Sequence, residues 1–204
     1  MPSNAYKRLN VEKKKRIIEG AIKEFSIHTV EHASLNAVAN NAGMSRTTLY
    51  YYFSDIEDIF MTVMDEVMEN FKRTINLEEE PIDIFEIYYL FFKYVTAYKN
   101  TELEDFVKTI FSDMSLKLQK IITEPYIQYY LENKKYLKNL EKLDYESREE
   151  LLDILFALFA LVTASINYYF KNDIEFNVID YKFKRGLRLL KNGVIKEEYR
   201  KEEL

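Results

Sequence analysis

The feature that most constrains the fold is residues 34–53, where two short helical patterns are joined by a glycine. Ser34 is a favourable N-cap for the first pattern. Apolar residues then recur at the spacing of a helix that buries one stripe: Leu35, Val38, Ala39 and Ala42. Gly43 interrupts this helix, because glycine readily adopts the left-handed conformation of a sharp helix exit. Ser45 can cap a second helix directly afterwards, so the stretch predicts two short helices at a tight turn.

The second helix of this pair carries an unusual distribution of side chains. Leu49 and Phe53 lie four residues apart and form an apolar contact face. Cationic and hydroxyl groups occupy the rest of the helix: Arg46, Thr47, Thr48, Tyr50 and Tyr51. Such groups can bind base edges and phosphates, and a helix-turn-helix places the start of its second helix in the DNA major groove. The pattern therefore predicts a DNA-reading helix.

Helical patterns on both sides of the pair can brace it. The upstream stripe has Asn10 as its predicted N-cap and consists of Ile17, Ile18, Ala21, Ile22 and Phe25. Downstream, Ser54 and Glu57 match a capping box. Apolar residues then keep helical register from Ile56 to Phe71, which predicts a long fourth helix.

On these residues the chain resembles the TetR family of one-component transcriptional regulators. The resemblance rests on the order of RIIEGAIKEF, SLNAVANNAGMSRTTLYYYF and a long fourth helix, over about the first 60 residues. It implies a helix-turn-helix DNA-binding domain at residues 1–55 and a helical effector-binding and dimerisation domain at residues 56–204. Two positions depart from the common pattern of the family. His28 and Thr29 stand where a glycine is common, and Ile56 stands where a phosphate-reaching lysine is common.

Composition supports an all-α fold, with about nine helices expected. Only four glycines and three prolines interrupt 204 residues, and 48% of the residues are hydrophobic. The absence of cysteine excludes a disulfide framework and a thiolate zinc site. The N-terminal MPSNAYKRLN lacks the apolar core of a signal peptide, so we expect a cytoplasmic protein.

The sequence gives little support for catalysis. Its two histidines, His28 and His32, are better explained by a surface turn than by a metal site. The chain has no glycine-rich phosphate loop, no nucleophile elbow and no visible pairing of carboxylates. We therefore expect no enzymatic activity, no cofactor and no bound metal.

Positive charge is concentrated in the first quarter of the chain. Residues 1–53 contain eight Lys and Arg against four Asp and Glu, whereas the whole chain has a net charge of −5. This asymmetry favours phosphate binding by the N-terminal part. The cationic run 13–16, which includes Lys14, is a candidate for contacts to the flanking DNA backbone. An ordinary solvated helix face explains the run equally well.

Beyond residue 75 the patterns predict a bundle of further helices. Pro81 ends a polar loop at 76–81. Helices are then expected at 82–98, from Thr101 to 121, at 125–142, at 147–170 after a Ser147–Glu150 capping box, and at 178–191 with Gly193 as the stop.

The helix at 147–170 allows two interpretations. Residues 154–170 are free of charge, as in a membrane span. However, 17 residues are at the short limit for a span, and polar side chains interrupt the run, so a buried interface helix is favoured. Ala157, Ala160 and Ala164 would let a neighbouring helix approach closely. The family resemblance implies that helices at about 147–171 and 178–191 pair with their copies in a homodimer, and we expect no membrane partner.

Specific residues follow as candidates for DNA contact. They are Ser45, Arg46, Thr47, Thr48, Tyr50, Tyr51 and Tyr52 on the second helix, Lys14 in the cationic run, and Asn36 through the pattern of the family. Local helix packing is the alternative role for Thr48, Tyr50, Tyr52 and Asn36. A two-fold dimer would present two such helices to half-sites about 34–36 Å apart, or a multiple of that, so the operator should be pseudo-palindromic.

Aromatic residues after position 81 suggest an effector site. Rings with some hydroxyl groups suit a small, largely apolar or aromatic ligand: Tyr88, Phe92, Phe106, Phe111, Tyr126, Tyr130 and Tyr168. Ordinary core packing is the commoner role of such stripes. The resulting hypothesis is a ligand-responsive DNA-binding regulator, a repressor by resemblance to the family. The alternative is a helical lipid-binding or scaffold protein with a vestigial helix-turn-helix, suggested by Ile56 and residues 154–170.

Overall fold

Helices make up almost all of the regular structure in the described residues. The computed structural model describes residues 2–77, 81–112 and 136–194, together with residues 128 and 132. The first helices are α1 (Asn4–Lys7), α2 (Val11–Phe25), α3 (Leu35–Asn41), α4 (Arg46–Tyr52) and α5 (Ile56–Thr74). They are followed by β1 (Ile82–Asp83), α6 (Ile84–Thr96), α7 (Glu104–Ser112), β2 (Leu137–Lys138), a 3-10 turn (Leu140–Lys142), α8 (Arg148–Lys171) and α9 (Phe176–Val194).

The chain forms two compact units. The first combines Met1–Phe71 with Tyr98–Asp113, and the second combines Lys72–Ala97 with Met114–Leu204. In the first unit α5 packs on α2, where the rings of Phe25 and Phe60 meet edge to face at 5.5 Å. Both rings are fully buried, so the apolar stripes predicted for these two helices form one core.

The second unit is built around α6, α8 and α9. The rings of Phe92 and Phe183 stack at 4.2 Å between centroids. The hydroxyl of Tyr88 donates to the carbonyl of Leu155 at 3.0 Å, which links α6 to α8. Gly186 lets α9 approach α8 closely, because a Cβ atom at this position would lie 2.9 Å from a methyl of Leu161.

The predicted helix over 125–142 is wrong at its C-terminal end. Leu137 and Lys138 form a two-residue parallel bridge with Ile82 and Asp83. Asn139, in the left-handed conformation at φ 66°, donates to the carboxylate of Asp83 at 2.7 Å. The other carboxylate oxygen of Asp83 caps α6, so a long-range polar network replaces the helix predicted here. Residues 125–127, 129–131 and 133–135 lie outside the described residues.

The predicted helix caps are mostly confirmed. The side chains of Asn10, Ser34, Ser45 and Ser147 each accept from a main-chain N–H in the first turn of their helix. The capping box Ser54–Glu57 is wrong by one residue, since Asp55 accepts from the N–H of Asp58 at 2.8 Å. Gly193 does not stop the last helix but lies within α9.

The apolar helix α8 lies within the second unit. By length and composition it could cross a membrane, and it is the single such helix among the described residues. It packs against α6 and α9, and 39% of its most apolar window is buried. This packing accounts for the buried part of α8, and its role as a dimer interface helix stays a prediction.

Candidate nucleic-acid interface

The turn between α3 and α4 has the geometry that the sequence predicts. Gly43 adopts φ 63°, and its N–H donates to the carbonyl of Asn40 at 3.1 Å. The next N–H, of Met44, donates to Ala39 at 2.9 Å. These bonds occupy carbonyls that the end of a helix leaves without partners. The turn therefore fixes where α4 begins.

The N-terminus of α4 is closed by its own side chains. Ser45 accepts from the N–H of Thr48 at 3.1 Å, and the two hydroxyls lie 2.7 Å apart. Thr48 is engaged in this cap and is half-buried, so it contributes to the local structure of α4. The hydroxyl oxygens can still exchange hydrogen bonds with a phosphate or a base edge.

The outer face of α4 is polar and open to solvent. Arg46, Thr47 and Tyr50 are exposed, and Tyr51 exposes 70% of its surface. The guanidinium of Arg46 lies 5.2 Å from the ring centroid of Tyr50, a cation–π distance. Leu49 is completely buried, so α4 has one face in the core and one face available to a ligand.

The other predicted DNA contacts differ in their surroundings. Asn36 on α3 and Ser45 are exposed, whereas Tyr52 is half-buried. Lys14 is also half-buried, and its ammonium donates to the carbonyl of Lys7 at 3.0 Å. It is therefore bound to the N-terminal segment, while its neighbours Lys13, Lys15 and Arg16 are exposed.

Contacts from α2 fix the position of α3. Gly20 allows the backbones to meet, because a Cβ atom there would lie 2.8 Å from the amide nitrogen of Ala42. The side chain of Asn41 donates to the carbonyl of Gly20 at 3.3 Å. The buried carboxylate of Glu24 accepts from the N–H of Ser34 at 3.1 Å, immediately before α3. The helix pair is thus held by both packing and polar contacts.

Sequence reasoning missed one part of this site, the segment that contains Ser3 and Tyr6. Ser3 makes two hydrogen bonds to the last residues of α4, and Tyr6 packs on Phe53. A local signal exists, because Ser3 is a good N-cap for the short α1. The contact itself joins residues 48 positions apart and has no local pattern.

The predicted ligand-binding aromatic residues fall into both compact units. Phe106 and Phe111 belong to the first unit and are buried. Tyr88, Phe92 and Tyr168 belong to the second, where Phe92 is completely buried and Tyr168 is 45% exposed. Tyr126 and Tyr130 lie outside the described residues. The assignment of these residues to an effector site stays a prediction.

The two histidines lie in the turn region after α2. The hydroxyl of Thr29 lies 2.8 Å from Nδ1 of His32, so Thr29 and His32 form a local hydrogen bond. Among the described residues, no group of three or more acidic or histidine side chains has the arrangement of a metal site.

Family comparisons cover both units. Residues 17–63 match the model described as "Bacterial regulatory proteins, tetR family", and residues 83–194 match the "Tetracyclin repressor-like, C-terminal domain". The second match alone spans more than half of the chain. The chain belongs to the TetR family. The protein is therefore a transcriptional regulator with a DNA-binding helix-turn-helix and a ligand-binding C-terminal domain.

Solved structures show the same fold at low sequence identity. A TetR-like regulator from Rhodococcus sp. RHA1 is 16% identical with a TM-score of 0.56, covering 91% of this chain and 98% of that one. FadR from Bacillus subtilis, solved with stearoyl-CoA, is 17% identical with a TM-score of 0.55 and coverages of 89% and 99%. FadR from Bacillus halodurans is 18% identical with a TM-score of 0.53 and coverages of 90% and 96%. Comparison with curated proteins gives no significant match.

Proposed function

We propose that this TetR-family protein is a cytoplasmic repressor that binds a pseudo-palindromic operator as a homodimer. In this proposal residues 1–55 form the DNA-binding domain, and residues 56–204 bind the effector and form the dimer. The observation that carries the proposal is the exposed polar face of α4. Arg46, Thr47 and Tyr50 project from a helix whose opposite side is buried and whose start is capped.

Charge supports the same orientation of the protein toward DNA. The exposed cations Lys13, Lys15 and Arg16 follow the start of α2, in the unit that contains α4. Lysine and arginine side chains displace condensed counterions from the duplex, and this displacement makes binding strongly dependent on salt. We assign these side chains to the DNA backbone and the α4 side chains to base edges and adjacent phosphates.

We further propose that a small, largely apolar or aromatic effector releases the repressor from its operator. Release requires that the effector binds more tightly to the conformation with low DNA affinity. Aromatic side chains with hydroxyl groups support this ligand class, since they offer apolar area and a hydrogen bond. Tyr88 on α6 is an example: its hydroxyl donates to the carbonyl of Leu155, and its oxygen can still accept a hydrogen bond from a ligand.

A selection followed by titration tests the DNA-binding part. Duplexes selected by the protein from a randomised pool are compared with a shuffled duplex at several salt concentrations. We expect the selected duplex to bind at least about 1,000-fold more tightly. The logarithm of the binding constant should fall with the logarithm of salt by about 0.9 per neutralised phosphate. Equal binding to every duplex would contradict the proposal and favour the scaffold alternative.

A second titration tests the effector. The protein bound to its selected duplex is challenged with stearoyl-CoA, which is the ligand in the Bacillus subtilis FadR structure, and with aromatic amphiphiles. An effector that releases DNA must also bind less tightly in the presence of the duplex, by the same factor. Release by polar compounds alone would contradict the proposed ligand class.

A further inference from the structure

The C-terminal end of α4 is capped by a distant part of the chain. The last carbonyls of a helix have no partner within that helix. In α4 two of them accept from Ser3: its N–H donates to Tyr52 at 2.9 Å, and its hydroxyl donates to Tyr51 at 3.2 Å. These bonds do the work that a glycine C-cap does in other helices.

The segment that supplies this cap is firmly attached to the first unit. The ring of Tyr6 lies 4.8 Å from the ring of Phe53, and both are buried. Burial raises the pKa of Tyr6 to about 12, and the negative charges of Glu66 and Asp65 add to this effect. Tyr6 thus lies against the end of α4 and within the electrostatic reach of α5.

A third attachment comes from α2. The ammonium of Lys14 donates to the carbonyl of Lys7 at 3.0 Å and lies 5.7 Å from the ring centroid of Tyr6. Residues 3–7 therefore contact α2 and the end of α4 at once. They connect the cationic run at 13–16 to the helix that carries Arg46.

Helix α4 depends on such external contacts for its position. It has seven residues, and helices of this length are marginal without tertiary support. Only Leu49 of α4 itself is buried, and Phe53 follows as its C-cap residue. Without the bonds from Ser3 to Tyr51 and Tyr52, the last turn of α4 would no longer be held in place. This turn carries the exposed side chain of Tyr51.

We propose that Ser3 and Tyr6 are positioning residues for DNA recognition. Ser3 caps the end of α4, and Tyr6 anchors this cap, so that the exposed face of α4 is held in the orientation that contacts base edges. The inference rests on the proposed function of α4 as the recognition helix. It adds residues 3–7 to the recognition apparatus without requiring that they touch DNA.

Four variants and one control test this inference. Ser3→Ala removes the hydroxyl. Ser3→Pro removes the hydroxyl and the N–H together, and the φ of Ser3, −63°, suits proline. Tyr6→Ala removes the anchor, and Tyr6→Phe keeps its ring. The control is Thr101→Ala in the same unit, which also removes a hydroxyl that caps main-chain groups.

Binding to the selected and the shuffled duplex is measured for each folded variant. We expect Ser3→Pro and Tyr6→Ala to weaken binding to the selected duplex by about tenfold or more, because each loses contacts worth about one hydrogen bond or more. Ser3→Ala should give a smaller loss in the same direction. Tyr6→Phe, Thr101→Ala and all affinities for the shuffled duplex should stay within about twofold of wild type.

The ratio of the two affinities separates positioning from folding. A merely destabilised protein loses active molecules and binds both duplexes less in equal proportion, which would overturn the inference. Hydrogen exchange in the free protein gives a second readout, in which Ser3→Pro should speed exchange in α4 but not in α3. Unchanged exchange in α4 would also overturn it.

If wild type selects no duplex, the proposed function fails together with this inference. If wild type binds and Ser3→Pro matches it, only this inference fails.

Discussion

Arg46 is the only charged residue of α4, and its side chain is exposed to solvent. The ring of Tyr50 lies beneath its guanidinium, so the arginine is partly ordered before DNA arrives. We expect Arg46→Ala to weaken binding to the selected duplex by about 1–3 kcal/mol if the guanidinium contacts a base edge. Binding to the shuffled duplex should change little. The measurement is a titration of both duplexes at fixed salt.

The control for Arg46 removes a charge from the second unit. Lys138 is exposed on β2, and Lys138→Ala should leave operator affinity unchanged. If both variants lost the same affinity, net charge would explain the effect and the assignment of Arg46 to base recognition would be wrong.

The turn between α3 and α4 depends on the positive φ of Gly43, and substitution of this residue tests that dependence. At φ 63° an L side chain is strained, although a Cβ atom at Gly43 would meet no neighbouring atom within 4 Å. Gly43→Ala should therefore lower the free energy of unfolding by about 1–2 kcal/mol, and Gly43→Asn by less. Urea unfolding measures both.

Gly193 provides the matched comparison for Gly43. It lies in α9, and a Cβ atom there would also meet nothing within 4 Å. Because alanine favours helices, Gly193→Ala should leave stability unchanged or raise it by up to about 1 kcal/mol. Destabilisation by both substitutions would show that the left-handed conformation of Gly43 is not the cause.

Among the helices, α5 shows how a local pattern can predict an element and misplace its start. Ser54 and Glu57 match a capping box in sequence, but Asp55 and Asp58 form the cap. Asp58 accepts from the N–H and the hydroxyl of Ser54, and its side chain is buried. Neighbouring candidates for a cap differ by one residue in register, and only packing of the helix decides between them.

The cap at Asp58 predicts a dependence of stability on pH. The pKa of Asp58 lies below 3.8: burial acts to raise it, but hydrogen bonds from the amino terminus of the chain and from Ser54 favour the ionised carboxylate. A lowered pKa stabilises the fold above pH 3.8, and this contribution is lost as pH falls through the lower value in the folded state. Asp58→Asn replaces charge-assisted hydrogen bonds by neutral ones, so it should destabilise the fold by about 1 kcal/mol at pH 7, measured by urea unfolding. The difference from wild type should shrink below pH 3.8, and a constant difference would contradict the prediction.

The elements that could be predicted are those whose stabilising contacts are local. The caps at Ser34 and Ser45, the left-handed Gly43 and the apolar stripe of α2 each depend on residues a few positions apart. The exposed face of α4 follows from them, and so does the family. Local patterns of this kind were sufficient to predict the fold class and the location of the candidate DNA site.

The elements that could not be predicted depend on contacts between distant residues. The bridge of Ile82 with Leu137 breaks the helical pattern expected at 125–142. The bonds from Ser3 to Tyr51 and Tyr52 likewise depend on tertiary structure. Spacing along the chain contains no record of either contact, because each is decided by how complete elements pack.

For the whole molecule, the proposed function depends on the assembly of two copies. Helices α8 and α9 cover each other through Gly186 and Leu161, yet both retain exposed apolar side chains. These include Phe156 and Tyr168 on α8, and Val178, Tyr181 and Leu189 on α9. On α9 they lie outside the stripe of Ile179 and Phe183, which are buried. Exposed apolar area of this kind commonly marks an interface, and a second copy is the occupant that dimerisation of the family supports.

Dimerisation predicts that a change far from α4 alters operator binding. Tyr181 and Leu189 are 67% and 64% exposed, so Tyr181→Glu with Leu189→Glu should not disturb the core of a protomer. The double variant should sediment as a monomer and bind the operator at least about 100-fold more weakly, because the second half-site no longer benefits from a linked copy. Ile27→Glu, which alters an equally exposed apolar residue in the first unit, should stay dimeric.

Since dimerisation and operator binding are linked equilibria, high protein concentration should partly restore both in the double variant. A monomeric variant with wild-type operator affinity would contradict the two-fold model, since α4 of a single copy would then suffice for recognition.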